Sequence, residues 1–214
     1  MSDEASGGYS TNVFINCPFD DEYASFFDAI VFAIHDCGFI ARCAKEVRDS
    51  GGTRIRQILD IIRECRYGVH DISRTELDDV NQLPRFNMPL ELGLFLGAKE
   101  FGGEAQGRKV CLILDRAPYR YQKFCSDIAG QDIASHDGDI ETLIREVRDW
   151  LSDSVEDLIP TGGKIYDRYK VFQEHLPMDT KTFHITPEEM TFLDFQNFVA
   201  TWLEENPPGT YPER

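Results

Sequence analysis

The chain has 214 residues, 42% of them hydrophobic and 28% charged, and its formal net charge is −16. That length suits one core, or a core with a small appendage, and the composition excludes a disordered or collagen-like chain. With 38 acidic against 22 basic residues, nonspecific nucleic-acid binding, which needs clustered Lys and Arg, is not expected.

The first apolar strand is residues 13–16, ended by Cys17 and Pro18. Residues 22–37 follow with helical spacing, and Phe26, Phe27, Ile30, Val31 and Ile34 share a broad face. Gly38 stands where such a helix ends. Residues 39–44 read as a second strand, 53–65 as a second helix and 67–72 as a third strand. A polar loop, 73–87, precedes a third helix predicted over 89–100, with Pro89 in its first turn. Gly93 and Gly97 in that helix would allow close packing on the sheet. The run 109–115 (KVCLILD) is nearly all apolar, as befits a parallel strand covered on both faces. A loop with Tyr119, Arg120 and Tyr121, a short helix near 123–128 and a longer one over 139–152 complete the unit.

This β-α-β alternation implies a flavodoxin-like, doubly wound α/β parallel sheet over residues 13–152. Pro160, Thr161, Gly162 and Gly163 form a breaker cluster. A C-terminal helical extension is expected over residues 160–205, packed on the domain or on a partner subunit. Its second helix is predicted to be capped by Thr186, Pro187 and Glu189, with a stripe of Phe192, Phe195, Val199 and Trp202.

No apolar run reaches the ~20 residues of a membrane span. Residues 1–12 lack the basic and apolar parts of a signal peptide. A cytoplasmic protein without membrane contact is expected. The six cysteines show no CxxC spacing, so no metal site is expected and free thiols suit a reducing compartment.

Ligands of doubly wound sheets bind at the carboxyl ends of the strands. That rule selects the loops 17–20, 44–53, 71–87 and 115–121. Glu91 is an acid on an otherwise apolar helix, predicted in its first turn, where a dipole-stabilised capping acid is the plain alternative. Asp71 and Ser73 end the third strand, and Phe19 and Asp20 follow the first. In Ser50-Gly51-Gly52-Thr53-Arg54, backbone N–H groups and Arg54 could approach a phosphate, although the stretch is neither Walker A nor GxGxxG. Tyr119 and Tyr121 could stack on a ring or lie on the surface.

The motif VFINCPFDDEY, the glycine-bearing loop after strand two and the helix-borne glutamate after strand three resemble the TIR (Toll/interleukin-1 receptor) domain pattern. PLELGLFLGA is similar to the ExGxA helix of nucleoside 2-deoxyribosyltransferases. The resemblance covers residues 13–151, and the whole sequence resembles bacterial TIR-like proteins of antiviral defence systems. Met88 and Pro89 depart from the TIR pattern, which often has a small residue or Trp before the glutamate. The resemblance implies NAD or a related nucleotide as substrate, with no separate cofactor. It implies Glu91 as the catalytic residue beneath the nicotinamide ribose and Phe19 and Asp20 near the ring. It also implies assembly into a homo-oligomer and a defence-system partner. Two alternatives stay open: a nucleoside N-glycosidase or deoxyribosyltransferase, in which Asp71 and Asp78 or Asp79 would serve the base, and a nucleotide-signal- or protein-binding module without turnover.

Overall fold

The computed structural model describes residues 8–47, 49, 51–77 and 82–208. Five strands form: β1 (Asn12–Asn16), β2 (Ile40–Cys43), β3 (Tyr67–Asp71), β4 (Val110–Asp115) and β5 (Ile133–Ser135). All neighbours are parallel, in the order β2-β1-β3-β4-β5. This is the flavodoxin-like, doubly wound arrangement, with its topological switch between β1 and β3. Every residue of β1 and β3 is buried, because helices cover both faces of these central strands.

The helices are α1 (Ala24–Asp36), α2 (Arg54–Arg63), α3 (Asn87–Phe101), the single turn α4 (Glu104–Gly107), α5 (Ile140–Ser152), α6 (Gly162–Thr182) and α7 (Phe192–Glu205). One face of the sheet carries α1 and α5, and the other carries α2 and α3. Gly38 closes α1 at φ +83°, a backbone conformation that side chains with a Cβ rarely adopt. Lys109, at the amino end of β4, is buried, and its Nζ donates to the Ile62 carbonyl at 2.6 Å and to that of Cys65. It thereby supplies a donor to carbonyls in and just after the last turn of α2, beside the Cys65 N–H that Ile62 accepts at 3.2 Å.

The buried surface of α1 is wider than one face. Ala29 to Ile34 are all fully buried, the mark of a helix covered on several sides. The outer cover is α6 and α7. Ile165, Tyr169 and Phe172 of α6, and Phe192, Phe195, Val199 and Trp202 of α7, share one core with Val13, Ile15, Ile30 and Val147. Arg168 is the largest fully buried side chain. Its Nε donates to Asp36 Oδ2 at 2.8 Å and its Nη2 to Oδ1 at 3.0 Å, while its guanidinium stands 5.3 Å from the Trp202 ring. Burial pushes the Asp36 carboxyl up, and the hydrogen bonds and charge of Arg168 pull it only partly back. Gln196 of α7 donates its amide N–H to the Ala41 carbonyl on the outer edge of β2.

Several local expectations are corrected. α3 begins at Asn87, so Pro89 is not its first residue and Glu91 lies beyond the first turn. The first turn is tied to β1, where the Asn16 side chain donates to the Met88 carbonyl at 2.8 Å. Gly93 and Gly97 face open space. The close approach is at Gly68 of β3, where a Cβ would stand 2.8 Å from the Phe95 ring. The expected helix near 123–128 is two single 3-10 turns, Arg120–Lys123 and Ser126–Ile128, followed by the unanticipated β5. The last helix is capped by Thr191 and Asp194, which form the reciprocal capping box. Thr186 and Glu189 close only a turn before it. Among the described residues, no helix is long and apolar enough to cross a membrane.

Removing one partner of a buried ion pair leaves the other charged and unsatisfied, whereas replacing both with apolar groups is close to neutral. Arg168→Met is expected to lower unfolding free energy by about 3–5 kcal/mol in chemical denaturation. Adding Asp36→Leu should recover most of that loss. Equal stability of Arg168→Met and the parent would show that the pair does not hold α6 in place.

Candidate functional site

At the switch point, β1 and β3 end side by side while their connections leave toward opposite faces, which is where doubly wound sheets bind ligands. Asn16 and Asp71 are the last residues of the two strands. Period-two alternation sends His70 and Asp71 to opposite sides of the sheet.

His70 lies on the α3 side, its ring 4.8 Å from that of Phe95. Asn16 Nδ2 lies 3.1 Å from His70 Nδ1 and also donates to Met88. An amide nitrogen can only donate, so His70 Nδ1 accepts and Nε2 carries the proton. Burial lowers the His70 pKa to about 3, so the ring stays neutral.

Asp71 is fully buried on the other side. The Tyr23 hydroxyl donates to its Oδ2, and the Ser73 N–H donates to Oδ1 at 2.7 Å. His136 Nε2 stands 3.1 Å from Oδ2, but its N–H is not aligned for a hydrogen bond. His136 Nδ1 accepts the Gly138 N–H at 3.1 Å, which leaves the proton on Nε2, facing the carboxylate. Burial, then the charge of Asp71, pushes the Tyr23 hydroxyl well above its ordinary value, and the same two causes raise the Cys17 thiol. Cys17 is therefore a poor nucleophile.

Asp20 caps the 3-10 turn Asp21–Tyr23, accepting the Tyr23 N–H at 3.2 Å. It also pairs with Arg74 at 3.1 Å, and Arg74 reaches Glu22 at 2.7 Å. Arg120 ties the loop after β3 to β4: its Nε donates to Asp115 at 2.8 Å, its Nη1 to Thr75 Oγ1 at 2.7 Å and its Nη2 to the Ser73 carbonyl. The residues flanking it differ, since Tyr121 is buried and Tyr119 exposed.

Glu91 is half-buried on α3. Burial raises its pKa to about 7, against the opposing charge of Arg54 at the start of α2. The charges of Asp71 and Glu91 both add to the upward shift of the Cys17 thiol, after burial. Phe19 packs on the cores of both sheet faces.

The six expected site residues thus fall into three sets. Glu91 and Arg54 interact on the α2–α3 side. Asp71 and Ser73 are hydrogen-bonded to each other in the interior. Phe19 and Asp20 line a cavity of about 890 Å³ whose other walls come from α1, α6 and the turn before α7, and Glu91 is not on its wall. Ser50, Asp78 and Asp79 lie outside the described residues. His136 and Tyr23 were not anticipated. Both are remote from Asp71 in the chain; Tyr23 closes the VFINCPFDDEY motif and His136 stands in a polar loop, and neither position names Asp71 as its partner. Among the described residues, no three His, Cys, Asp or Glu side chains converge as metal ligands. No protein-family model, curated protein or solved structure matches the chain.

A carboxyl whose pKa is higher in the folded chain binds its proton more tightly there, so it lowers stability as pH rises from its unfolded value to its folded one. For Glu91 that window runs from 4.5 to about 7. Glu91→Gln is therefore expected to gain thermal midpoint relative to the parent between pH 5 and pH 8. A difference that stays constant over that range would place Glu91 in an ordinary solvated environment.

Proposed function

We propose that the chain cleaves the N-glycosidic bond of NAD or a related nucleotide, with Glu91 as the carboxylate beneath the ribose. The observation that carries this reading is the Glu91 carboxyl itself. It is half-buried on a largely apolar helix, with burial raising its pKa to about 7 and the charge of Arg54 opposing the shift. Strongly perturbed carboxyls in crevices are candidate reactive groups.

The chemistry suits one acid. The bond from C1′ of the ribose to the pyridinium nitrogen breaks, and its electron pair goes to nicotinamide, which leaves neutral. Positive charge develops on the ribose. The ionised Glu91 stabilises that charge and accepts a proton from the water that attacks C1′. In this reading Arg54, whose charge acts on Glu91, meets a phosphate of the substrate. A homo-oligomer and a role in bacterial antiviral defence belong to the same proposal.

Transfer between nucleobases calls for further free carboxylates, and Asp71 is already held by Tyr23 and Ser73. The second reading is a nucleotide-signal- or protein-binding module without turnover. It is supported by the internal engagement of Asp20 and Asp71, which leaves Glu91 with fewer helpers.

Chromatography of NAD incubated with the purified chain is expected to show free nicotinamide. Glu91→Gln should slow its release by roughly 10²-fold, the scale of losing a preorganised electrostatic contact. The parent rate should rise with pH through about 7, as the carboxyl ionises. An unchanged rate in Glu91→Gln would remove Glu91 from the chemistry, and no cleavage by the parent would favour the binding module.

A further inference from the structure

The outer face of α3 is apolar. Met88, Leu92 and Phe95 are buried on the sheet side of this helix. Nearly opposite them, Phe86, Leu90, Gly93, Leu94, Gly97 and Phe101 fall on one stripe at 3.6 residues per turn. Phe86 is 66%, Leu90 55% and Phe101 88% exposed, and Leu94 is half-buried. A helix that is apolar on both sides is ordinarily covered on both. The stripe runs about 22 Å from Phe86 to Phe101 at the usual helical rise, and a continuous exposed apolar surface of this kind marks an interaction site.

The charged residues of α3 stand off the stripe. Glu91 follows Leu90 by one residue, about 100° round the helix. Lys99 stands two residues before Phe101, about 200° away. Glu100 borders the stripe at its carboxyl end, and the half-exposed Arg85, with only a 3.8 Å contact to Asp20, borders it at the amino end.

The order of residues along the stripe suits a surface that meets its own copy. Leu90 and Gly97 stand equally far from the two end phenylalanines, and so do Gly93 and Leu94. Two copies laid antiparallel about a two-fold axis therefore set Phe86 on Phe101, Leu90 over Gly97 and Leu94 over Gly93, twice each. A Cβ built on Gly93 or Gly97 meets nothing within 4 Å, so the space over each glycine is open to a leucine. Glycine weakens a helix interior relative to alanine, and neither glycine gains a close contact within one copy in return. The same arrangement brings Arg85 of one copy to the Glu100 end of the other. A parallel arrangement would set Arg85 on Arg85 and leucine on leucine. A foreign apolar partner would not call for leucine and glycine at mirrored positions.

We infer that α3 is the interface of a homodimer, in which two copies pack antiparallel with Leu90 and Leu94 of each seated over Gly97 and Gly93 of the other. The inference names the face of the homo-oligomer in the reading above and does not rest on chemistry at Glu91.

Sedimentation equilibrium of the full chain over about 1–100 µM tests it. The parent is expected to show a reversible monomer–dimer equilibrium in that range. Gly97→Leu should weaken the dimer by at least about tenfold, because the new side chain meets Leu90 of the second copy. Leu90→Ala combined with Gly97→Leu exchanges the large and small positions and should recover most of the loss. Gly97→Ala is the milder change: it should leave the dilute chain at least as stable to heat, since alanine favours the helix, and should still weaken the dimer. Circular dichroism checks that each variant is folded as the parent is, and Gly97→Ala decides if Gly97→Leu is not. The inference is overturned if the parent is monomeric at about 100 µM, if the folded Gly97 variants dimerise as the parent does, or if the folded double variant stays as weak as Gly97→Leu. No readout involves NAD, so failure of the cleavage reading would leave these outcomes unchanged.

Discussion

The pairing of Arg168 with Asp36 governs how the second half of the chain is laid on the first. Apolar stripes are attracted without strong direction and tolerate sliding. A two-pronged guanidinium–carboxylate contact is satisfied only in one register. Burial works against the charge on Asp36 even with its partner present, so the pair contributes position more than net stability. Once α6 is set against α1, its end overhangs Phe27, and α7 is carried back across the surface. The cavity beside Phe27 and the burial of Trp202 both follow from that placement.

A second theme is the number of acids already engaged at the carboxyl ends of the strands. Asp71, Asp115 and Asp20 stand where a doubly wound sheet presents groups to a ligand, yet each holds a loop in place through Tyr23, Arg120 or Arg74. Their task is to satisfy backbone and guanidinium donors around the crevice, which keeps its walls in a defined shape. Glu91 and Asp28 lack such tight partners, and burial raises the pKa of both carboxyls. They lie on opposite sides of the sheet. The molecule therefore offers two separate places where a carboxyl could meet something external.

The regular layers were legible in the chain because they rest on local periodicity. The stripe of α5 and the apolar runs of β1, β3 and β4 were readable in this way. β5 was not, since Ile133, Ala134 and Ser135 have no pattern of their own and become a strand only by pairing with β4. α3 starts two residues before Pro89, and its first turn is held by Asn16 of β1, a contact that no window around Pro89 contains. The final helix is capped by Thr191 and Asp194 instead of Thr186 and Glu189, and Phe192 beside that cap is buried in the core, a contact that local sequence does not contain. Around the crevice, the individual acids could be named from strand ends, but their partners could not. Tyr23 and His136 reach Asp71 from distant parts of the chain, and nothing in the sequence sets Asp28 apart from the other polar residues of α1.

The Gln196 contact has a consequence for how copies of this protein can meet. A parallel sheet ends in strands whose outward amides and carbonyls invite another strand, and β2 is such a margin. Gln196 occupies the Ala41 carbonyl on that margin, and the Arg42–Glu46 and Arg42–Glu64 ion pairs set charge beside it. The opposite margin, β5, is only three residues long. Sheet-to-sheet growth is thus discouraged at both rims, so any assembly of these chains has to proceed through helices and loops, where the geometry of contact is set by side chains rather than by the backbone.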